Sequence, residues 1–276
     1  MLGSLQINSH KFYDTSAKNA AQRSDMIKIL ISGILGHMGR NVLELINEDA
    51  DTECVGGVDL TEGELCGVPV HAGFDKAEKA DVVIDFSSAA NLGNVLAYAE
   101  RTGAAVILAA TGYTDAQLAQ IDEAAKEIPL FKTANLSVGI NLLQKLVKKA
   151  AEVLGEKFDV EIVERHHNLK KDAPSGTAFM LAESVNEAFG GEKEYVYGRE
   201  GMCGARKKAE IGIHAVRGGN IVGEHEVMFA GEDEIITISH SARSKKVFAA
   251  GAVKAAKFMC GKPAGKYDMQ NVLADE

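Results

Sequence analysis

The patterned part of the chain begins with a run that is apolar at nearly every position, Ile27-Lys28-Ile29-Leu30-Ile31-Ser32. Such a run predicts a strand buried on both faces. After a glycine-rich turn, Val42, Leu43, Leu45 and Ile46 fall on one face of a helix expected from about Arg40 to Glu48. A second strand follows from Thr52 to Val58, ending at Asp59. Strand and helix patterns then alternate: a strand near Ala80–Ser87, a helix near Ala89–Arg101, a strand at Ala104–Ala109, a helix at Asp115–Lys126 and a strand at Leu130–Thr133. Repeated βα units predict a parallel, doubly wound sheet with helices on both faces.

Beyond a helix expected at Val138–Leu154 the rhythm changes. Strands are predicted at Phe158–Glu164, Ile211–Val216, Gly223–Ala230 and Glu234–Ser241, with a single helix at Thr177–Phe189 among them. A polar, glycine-rich loop is expected from Gly190 to about Arg206. Few helices and many strands predict an open mixed sheet in a separate α+β domain. A final helix, Lys246–Met259, carries Ala249, Ala250, Gly251, Ala252, Ala255 and Ala256, as a helix packed closely against the first domain would. The division is therefore a Rossmann-like α/β domain over residues 26–136 and 246–276, and a substrate-binding and oligomerisation domain over 137–245. Residues 1–25 are polar and without period, and are expected to be a disordered leader.

Composition narrows the function. A net charge of -9 argues against a general nucleic-acid binder, which needs a basic face. No apolar run reaches the roughly 18 residues that span a bilayer. Cys54, Cys66, Cys203 and Cys260 are widely separated and read as reduced thiols of a cytoplasmic protein. The histidines have no Cys or carboxylate at ligand spacing, so no metal site is expected.

Two stretches carry chemistry. In the first, Gly33-Ile34-Leu35-Gly36-His37-Met38-Gly39 joins a strand to a helix, and Asp59 lies 20 positions after Gly39 at the end of the next strand. This is the order of a dinucleotide-binding βαβ unit: glycines for a tight turn close to a pyrophosphate, and an acid for the adenosine ribose hydroxyls. Ligands of such sheets lie at the carboxyl ends of the strands, which adds Phe86-Ser87, Ala109–Thr111 and Thr133–Leu136 as candidate cofactor loops.

In the second, Glu164-Arg165-His166-His167-Asn168-Leu169-Lys170-Lys171-Asp172-Ala173-Pro174-Ser175-Gly176-Thr177-Ala178 sets two histidines and two lysines before a helix start. Histidine moves protons near neutral pH, lysine supplies positive charge, and free N–H groups at a helix start bind anions. Together they read as a site for a small anionic substrate. In an extended loop, His166 and His167 point opposite ways and so suit different roles. Glu164, Asp172 and Pro174 read as strand end, turn and helix start.

The Glu-x-His-His-x-x-Lys-x-Asp-Ala-Pro-Ser-Gly-Thr-Ala pattern resembles the signature of the 4-hydroxy-tetrahydrodipicolinate reductase (dihydrodipicolinate reductase) family. Gly-x-x-Gly-x-Met-Gly at Gly33–Gly39, Asn-x-Ser-Val-Gly at Asn135–Gly139, Gly-Glu-His at Gly223–His225 and Tyr-Asp-Met at Tyr267–Met269 extend the resemblance over nearly all of the chain from Met26. It implies reduction of a cyclic dicarboxylate imine by a nicotinamide cofactor in lysine and diaminopimelate biosynthesis, by a homotetramer. By resemblance His166 is the proton donor and Lys170 a second acid and charge partner. His167 and the backbone of Gly176 and Thr177 hold carboxylates. Gly33, Ile34, Leu35, Gly36, His37, Met38, Asp59, Ala109, Ala110, Thr111, Thr133, Ala134, Asn135 and Leu136 contact the cofactor. Where the family often has Gly-Thr-Thr, this chain has Ala109-Ala110-Thr111, one hydroxyl fewer and one methyl more. Leu60-Thr61-Glu62 after Asp59 offers no cation for a 2′-phosphate, so NADH is expected to be preferred over NADPH. The competing readings are a dehydrogenase of an amino acid or semialdehyde, and a non-catalytic NAD(H) sensor.

Overall fold

The computed structural model describes residues 26–275, so the expected leader lies outside the described residues. The first half runs β1 (Ile27–Ser32), α1 (His37–Glu48), β2 (Thr52–Val58), β3 (Gly63–Leu65), β4 (Val68–His71), β5 (Val82–Asp85), α2 (Leu92–Thr102), β6 (Ala105–Leu108), α3 (Asp115–Ala124) and β7 (Pro129–Lys132). After α4 (Val138–Leu154) come β8 (Asp159–His166), α5 (Gly176–Ala188), β9 (Glu194–Tyr197), β10 (Glu210–Arg217), β11 (Gly223–Ala230) and β12 (Ile235–Ala242). The chain closes with α6 (Lys246–Met259), β13 (Gly265–Tyr267) and α7 (Met269–Ala274).

The first sheet has the order β13-β7-β6-β5-β1-β2-β4-β3 and is parallel except for the β3–β4 hairpin at its edge. Its strands are apolar on both faces because both are covered. Ile29, Ile31 and Ile107 face α1 and α6, packing with Val42, Ile46 and Ala252. Leu30, Val83 and Val106 face α2 and α3, packing with Val95, Tyr98 and Ile121. Because β1 lies between β2 and β5, the chain winds outward in both directions from the β1–β5 pair, and a crevice opens at their carboxyl ends. The small residues of α6 explain its close approach: a Cβ on Gly251 would overlap the Leu136 carbonyl.

The second sheet has the order β12-β11-β8-β10-β9, with β8 parallel to β10 and antiparallel to β11. Helices α4 and α5 cover one face through Ile140, Leu143, Leu181 and Val185, packed on Val160, Ile162, Ile213, Val227 and Phe229. Among the described residues, no helix covers the other face. Among the described residues no helix is long and apolar enough to cross a membrane.

Four details differ from the sequence expectation. Helix α1 starts at His37 rather than Arg40, so its first turn directly follows the glycine turn. Residues 63–71 add two edge strands too short to show a period. Within the expected loop after Gly190, Glu194–Tyr197 pairs in parallel with β10. The expected short tail contains β13 and α7, the latter started by Asp268, whose side chain accepts from Gln270 N and Asn271 N.

Candidate active site

The glycine turn meets the end of β5 at close range. Gly33 has φ +80°, and a Cβ there would stand 2.9 Å from the Phe86 carbonyl and from Ser87 N. Only glycine fits such an approach in the left-handed region. A cavity of about 690 Å³ opens here, lined by Gly33, Gly36, Asp59, Leu60, Ser87 and Asn91 among others. Asp59 accepts from Leu35 N and Leu60 N, each at 2.8 Å, and so ties the acid at the end of β2 to the glycine turn. The Ile34 side chain is core: a Cβ on Gly57 would lie 2.6 Å from its Cδ1, leaving Ile34 only its backbone to offer a ligand. His37 and Met38 are the first residues of α1, but neither lines the cavity. Beneath, burial pushes the Asp85 carboxyl up, and it accepts from Ser87 Oγ at 2.5 Å. The tight turn, the helix N-terminus and the acid at the end of β2 are the parts that suit a dinucleotide.

The loops Ala109-Ala110-Thr111 and Thr133-Ala134-Asn135-Leu136 do not line that cavity, because they follow β6 and β7 on the far side of β5. They share its carboxyl edge, and one of them reaches the second sheet. Asn135 Nδ2 donates to Thr177 Oγ1 at 2.9 Å, while Asn135 Oδ1 accepts from Ser137 N at 2.8 Å. A candidate cofactor residue and a candidate substrate residue thus touch.

At the end of β8 the alternation of the strand turns Glu164 and His166 to its buried face. Glu164 is fully buried, yet ionised. Burial works to raise its carboxyl, and hydrogen bonds from Arg217 and His166 outweigh it, holding the group below the usual carboxylate range. Arg217, the last residue of β10, donates from Nη1 to Oε2 at 2.8 Å and from Nη2 to Oε1 at 2.7 Å. Its Nη2 also donates to Asp172 O at 2.7 Å. His166 Nδ1 meets Oε2 at 2.6 Å, and Ser175 N donates to Oε1 at 3.0 Å. One carboxylate therefore joins two strands, the Lys170–Pro174 loop and the start of α5.

Ser175 is the N-cap of α5, accepting from Ala178 N at 3.1 Å. Its hydroxyl lies 3.0 Å from His225 Nε2. Burial first, then the neighbouring His166, pushes His225 down to about 4, so at neutral pH it is uncharged. Gly176 and Thr177 supply the next N–H groups, which no residue of α5 can satisfy. The rings of His166 and His225 meet edge to face, with centroids 5.2 Å apart. Gly223 keeps the space beside them clear, since a Cβ there would stand 3.1 Å from His166 Nε2 and 3.9 Å from His225 Cε1. Lys170 Nζ pairs with Asp172 Oδ2 at 3.0 Å, and that bond holds the Asp172 carboxyl below its ordinary range.

His166, Gly176, Thr177 and Asn135 are thus brought together around Glu164 and Ser175. Lys170 joins them through the loop that Arg217 holds at Asp172. His167 stands outside this network, half-buried, its carbonyl accepting from Lys170 N at 3.2 Å. Sequence reasoning read Glu164 as no more than a strand end and left Arg217 outside the strand expected at Ile211–Val216. It gave Ser175, Gly223 and His225 no separate role. A charged residue at an inward-facing strand position was the available signal for Glu164; nothing in the order of residues tied Arg217 to it.

Comparison with known proteins accounts for both halves. The description "Dihydrodipicolinate reductase, N-terminus" matches residues 27–136, and "Dihydrodipicolinate reductase, C-terminus" matches residues 139–273. A 4-hydroxy-tetrahydrodipicolinate reductase of Caldanaerobacter subterraneus is 51% identical over 249 residues, covering 90% of this chain and 98% of the relative. The Methanospirillum hungatei protein of the same name is 44% identical, covering 90% of this chain and 99% of its own. Among solved structures, a dipicolinate-bound dihydrodipicolinate reductase from a Paenisporosarcina species aligns with a TM-score of 0.74 at 25% identity, covering 89% of this chain and 99% of that one.

Proposed function

The chain belongs to the dihydrodipicolinate reductase family, and on that premise we propose that it reduces 4-hydroxy-tetrahydrodipicolinate to tetrahydrodipicolinate with NAD(P)H, His166 giving the proton. The reaction serves lysine and diaminopimelate biosynthesis. Family membership sets aside the amino-acid dehydrogenase and sensor readings.

The observation that carries the assignment of roles is the shared carboxylate of Glu164. It binds the His166 ring and the Ser175 N–H at once, so a proton donor and an anion cradle form one unit. Gly176 and Thr177 N–H groups at the start of α5 receive one substrate carboxylate. Lys170 turns from Asp172 to the substrate's negative charge, and His167 holds the second carboxylate. His166 donates from Nε2 as charge develops on the substrate, which lowers the barrier as a positioned acid does. When bound, the nicotinamide supplies the hydride. Gly33–Met38 and Asp59 hold the adenosine and pyrophosphate, while Ala109–Thr111 and Thr133–Leu136 border the nicotinamide. The Asn135–Thr177 bond supports this order, because it sets the cofactor edge against the cradle.

We assign NADH as the preferred cofactor. Asp59 presents a carboxylate to the ribose end of the cavity. Arg101 also lines it, but its guanidinium donates to Phe74 O at 3.0 Å and lies over the Tyr98 ring. Leu60, the residue after Asp59, is apolar and 93% exposed. A higher kcat/KM with NADPH than with NADH overturns this assignment. The helix-free face of the second sheet, with Val163, Met228 and Val216 among its charges, suits self-association as a homotetramer, which sedimentation velocity tests. Four separate thiols suit a cytoplasmic setting.

The test of the donor is His166→Gln, followed by loss of NADH absorbance at 340 nm with freshly made substrate. The kcat falls by roughly 10² to 10⁴ while NADH affinity stays near that of the parent. An unchanged kcat removes His166 from the mechanism.

A further inference from the structure

Glu164 is buried, carries its charge, and has every acceptor position occupied. Oε1 receives Arg217 Nη2 and Ser175 N; Oε2 receives Arg217 Nη1 and His166 Nδ1. A carboxylate has about four lone-pair sites, so none is left for substrate. From this saturation we infer that Glu164, locked by Arg217, is a positioning residue that fixes the transferable proton of His166 on Nε2 and holds the ring at a set distance from the cradle. This rests on the reading of His166 as donor.

An ionised carboxylate only accepts, so His166 Nδ1 must donate to it in both protonation states of the ring. The neutral ring therefore has its lone pair on Nε2, and the charged ring loses its proton from Nε2, the nitrogen beside Gly223. Arg217 prevents the carboxylate from turning away, because its fork engages both oxygens at once. The same carboxylate holds Ser175 N, so the ring and the start of α5 move as one body.

The charged and titratable groups around the ring come from five places: Glu164 on β8, Arg217 on β10, His225 on β11, His240 on β12 and Lys170 in the loop after β8. Asp172, paired with Lys170 Nζ at 3.0 Å, is a second anion in that loop, but among the described residues Glu164 is the carboxylate that bonds the ring. Removing its charge without changing its shape disfavours the protonated ring. In Glu164→Gln the carboxamide oxygen keeps Ser175 N and one Arg217 donor, while its NH2 faces His166 Nδ1. The ring must then accept at Nδ1, and its charged form has no partner there.

The experiment is a double-mutant cycle on the full chain. Glu164→Gln, His166→Gln and the double variant are compared by kcat and KM across pH, with NADH affinity by fluorescence and thermal melting as checks on folding. Glu164→Gln is expected to lower kcat by about 10² or more, to move substrate KM less than about three-fold, and to shift the high-pH limb of kcat/KM down by about one unit. Added to His166→Gln, it is expected to cost less than about two-fold more. Multiplicative losses in the double variant overturn the inference, as does a limb that stays in place. If His166→Gln alone leaves kcat unchanged, the donor assignment itself has failed. Should Glu164→Gln not fold, Arg217→Lys, which keeps the charge but not the fork, enters the same cycle: coupling through His166 again supports the inference, and additivity overturns it.

Discussion

Gly223→Ala tests the active-site geometry with a single methyl. The new Cβ would stand 3.1 Å from His166 Nε2 and 3.5 Å from its Cδ2, where ordinary contact begins at 3.4 Å. The ring must therefore move by a few tenths of an ångström. It cannot retreat directly, because on its other side Nδ1 already meets Glu164 at 2.6 Å. His225 flanks the ring as well, with centroids 5.2 Å apart. The imidazole must tilt, and the methyl takes up room beside Nε2, the nitrogen proposed to deliver the proton. A displacement of 1 Å at a reacting group costs about 10²-fold, so this smaller one is expected to lower kcat by about 10- to 100-fold. Stability should move the other way or hardly at all. Gly223 lies in a regular strand outside the left-handed region, where alanine restricts the unfolded chain and contributes up to about 1 kcal/mol. The assay pairs steady-state oxidation of NADH with urea unfolding followed by circular dichroism. A variant with unchanged kcat and unchanged KM refutes the placement of Nε2 as the delivering atom. A variant that loses both activity and stability shows that the methyl disrupts β11 instead.

Three further outcomes follow from the same geometry. Lys170→Ala should raise substrate KM and lower kcat together, leaving NADH affinity alone; a change confined to the cofactor would place Lys170 elsewhere. Gly33→Ala puts a Cβ 2.9 Å from the Phe86 carbonyl at φ +80°, so NADH affinity should fall at least about ten-fold in a fluorescence titration, and wild-type affinity would remove the glycine turn from the cofactor site. Glu161 gives a pH signature: burial would raise its carboxyl, but hydrogen bonds from Arg199, His214 and Arg206 hold it down to about 2, against 4.5 unfolded. Its stabilising contribution is complete above about pH 4.5 and is lost as pH falls toward 2, so Glu161→Gln should flatten the dependence of unfolding midpoint on pH in that window; parallel curves for the two proteins would count against the network.

The sequence by itself determined the parts whose signal is local. Strands of the first sheet are covered on both faces, so their apolar runs are continuous and readable, as at Ile27–Ser32. Helices α4 and α6 are long, one marked by its apolar face and the other by its small residues, and their bounds match the expected ones. The glycine turn, Asp59, and the order His166, Lys170, Ser175, Gly176 are spaced along the chain in ways that chemistry explains without coordinates. The short strands β3, β4, β9 and β13 are not legible, because three or four residues hold too little of a period, and β13 pairs with β7, far away in sequence.

Tertiary structure alone decided what those local parts do to each other. Arg217 is 53 positions from Glu164 and becomes its partner only because β10 lies beside β8 in parallel register. Ser175 and His225 are 50 apart and meet because β11 flanks β8 on the other side. Gly223 reads as the first residue of a strand until the sheet puts it against Nε2. Hydrophobic pattern fixes which face of a strand is buried, but not which strand comes to lie next to it. The buried charge of Glu164 depends on that second fact, since a carboxylate without its arginine would not remain ionised there.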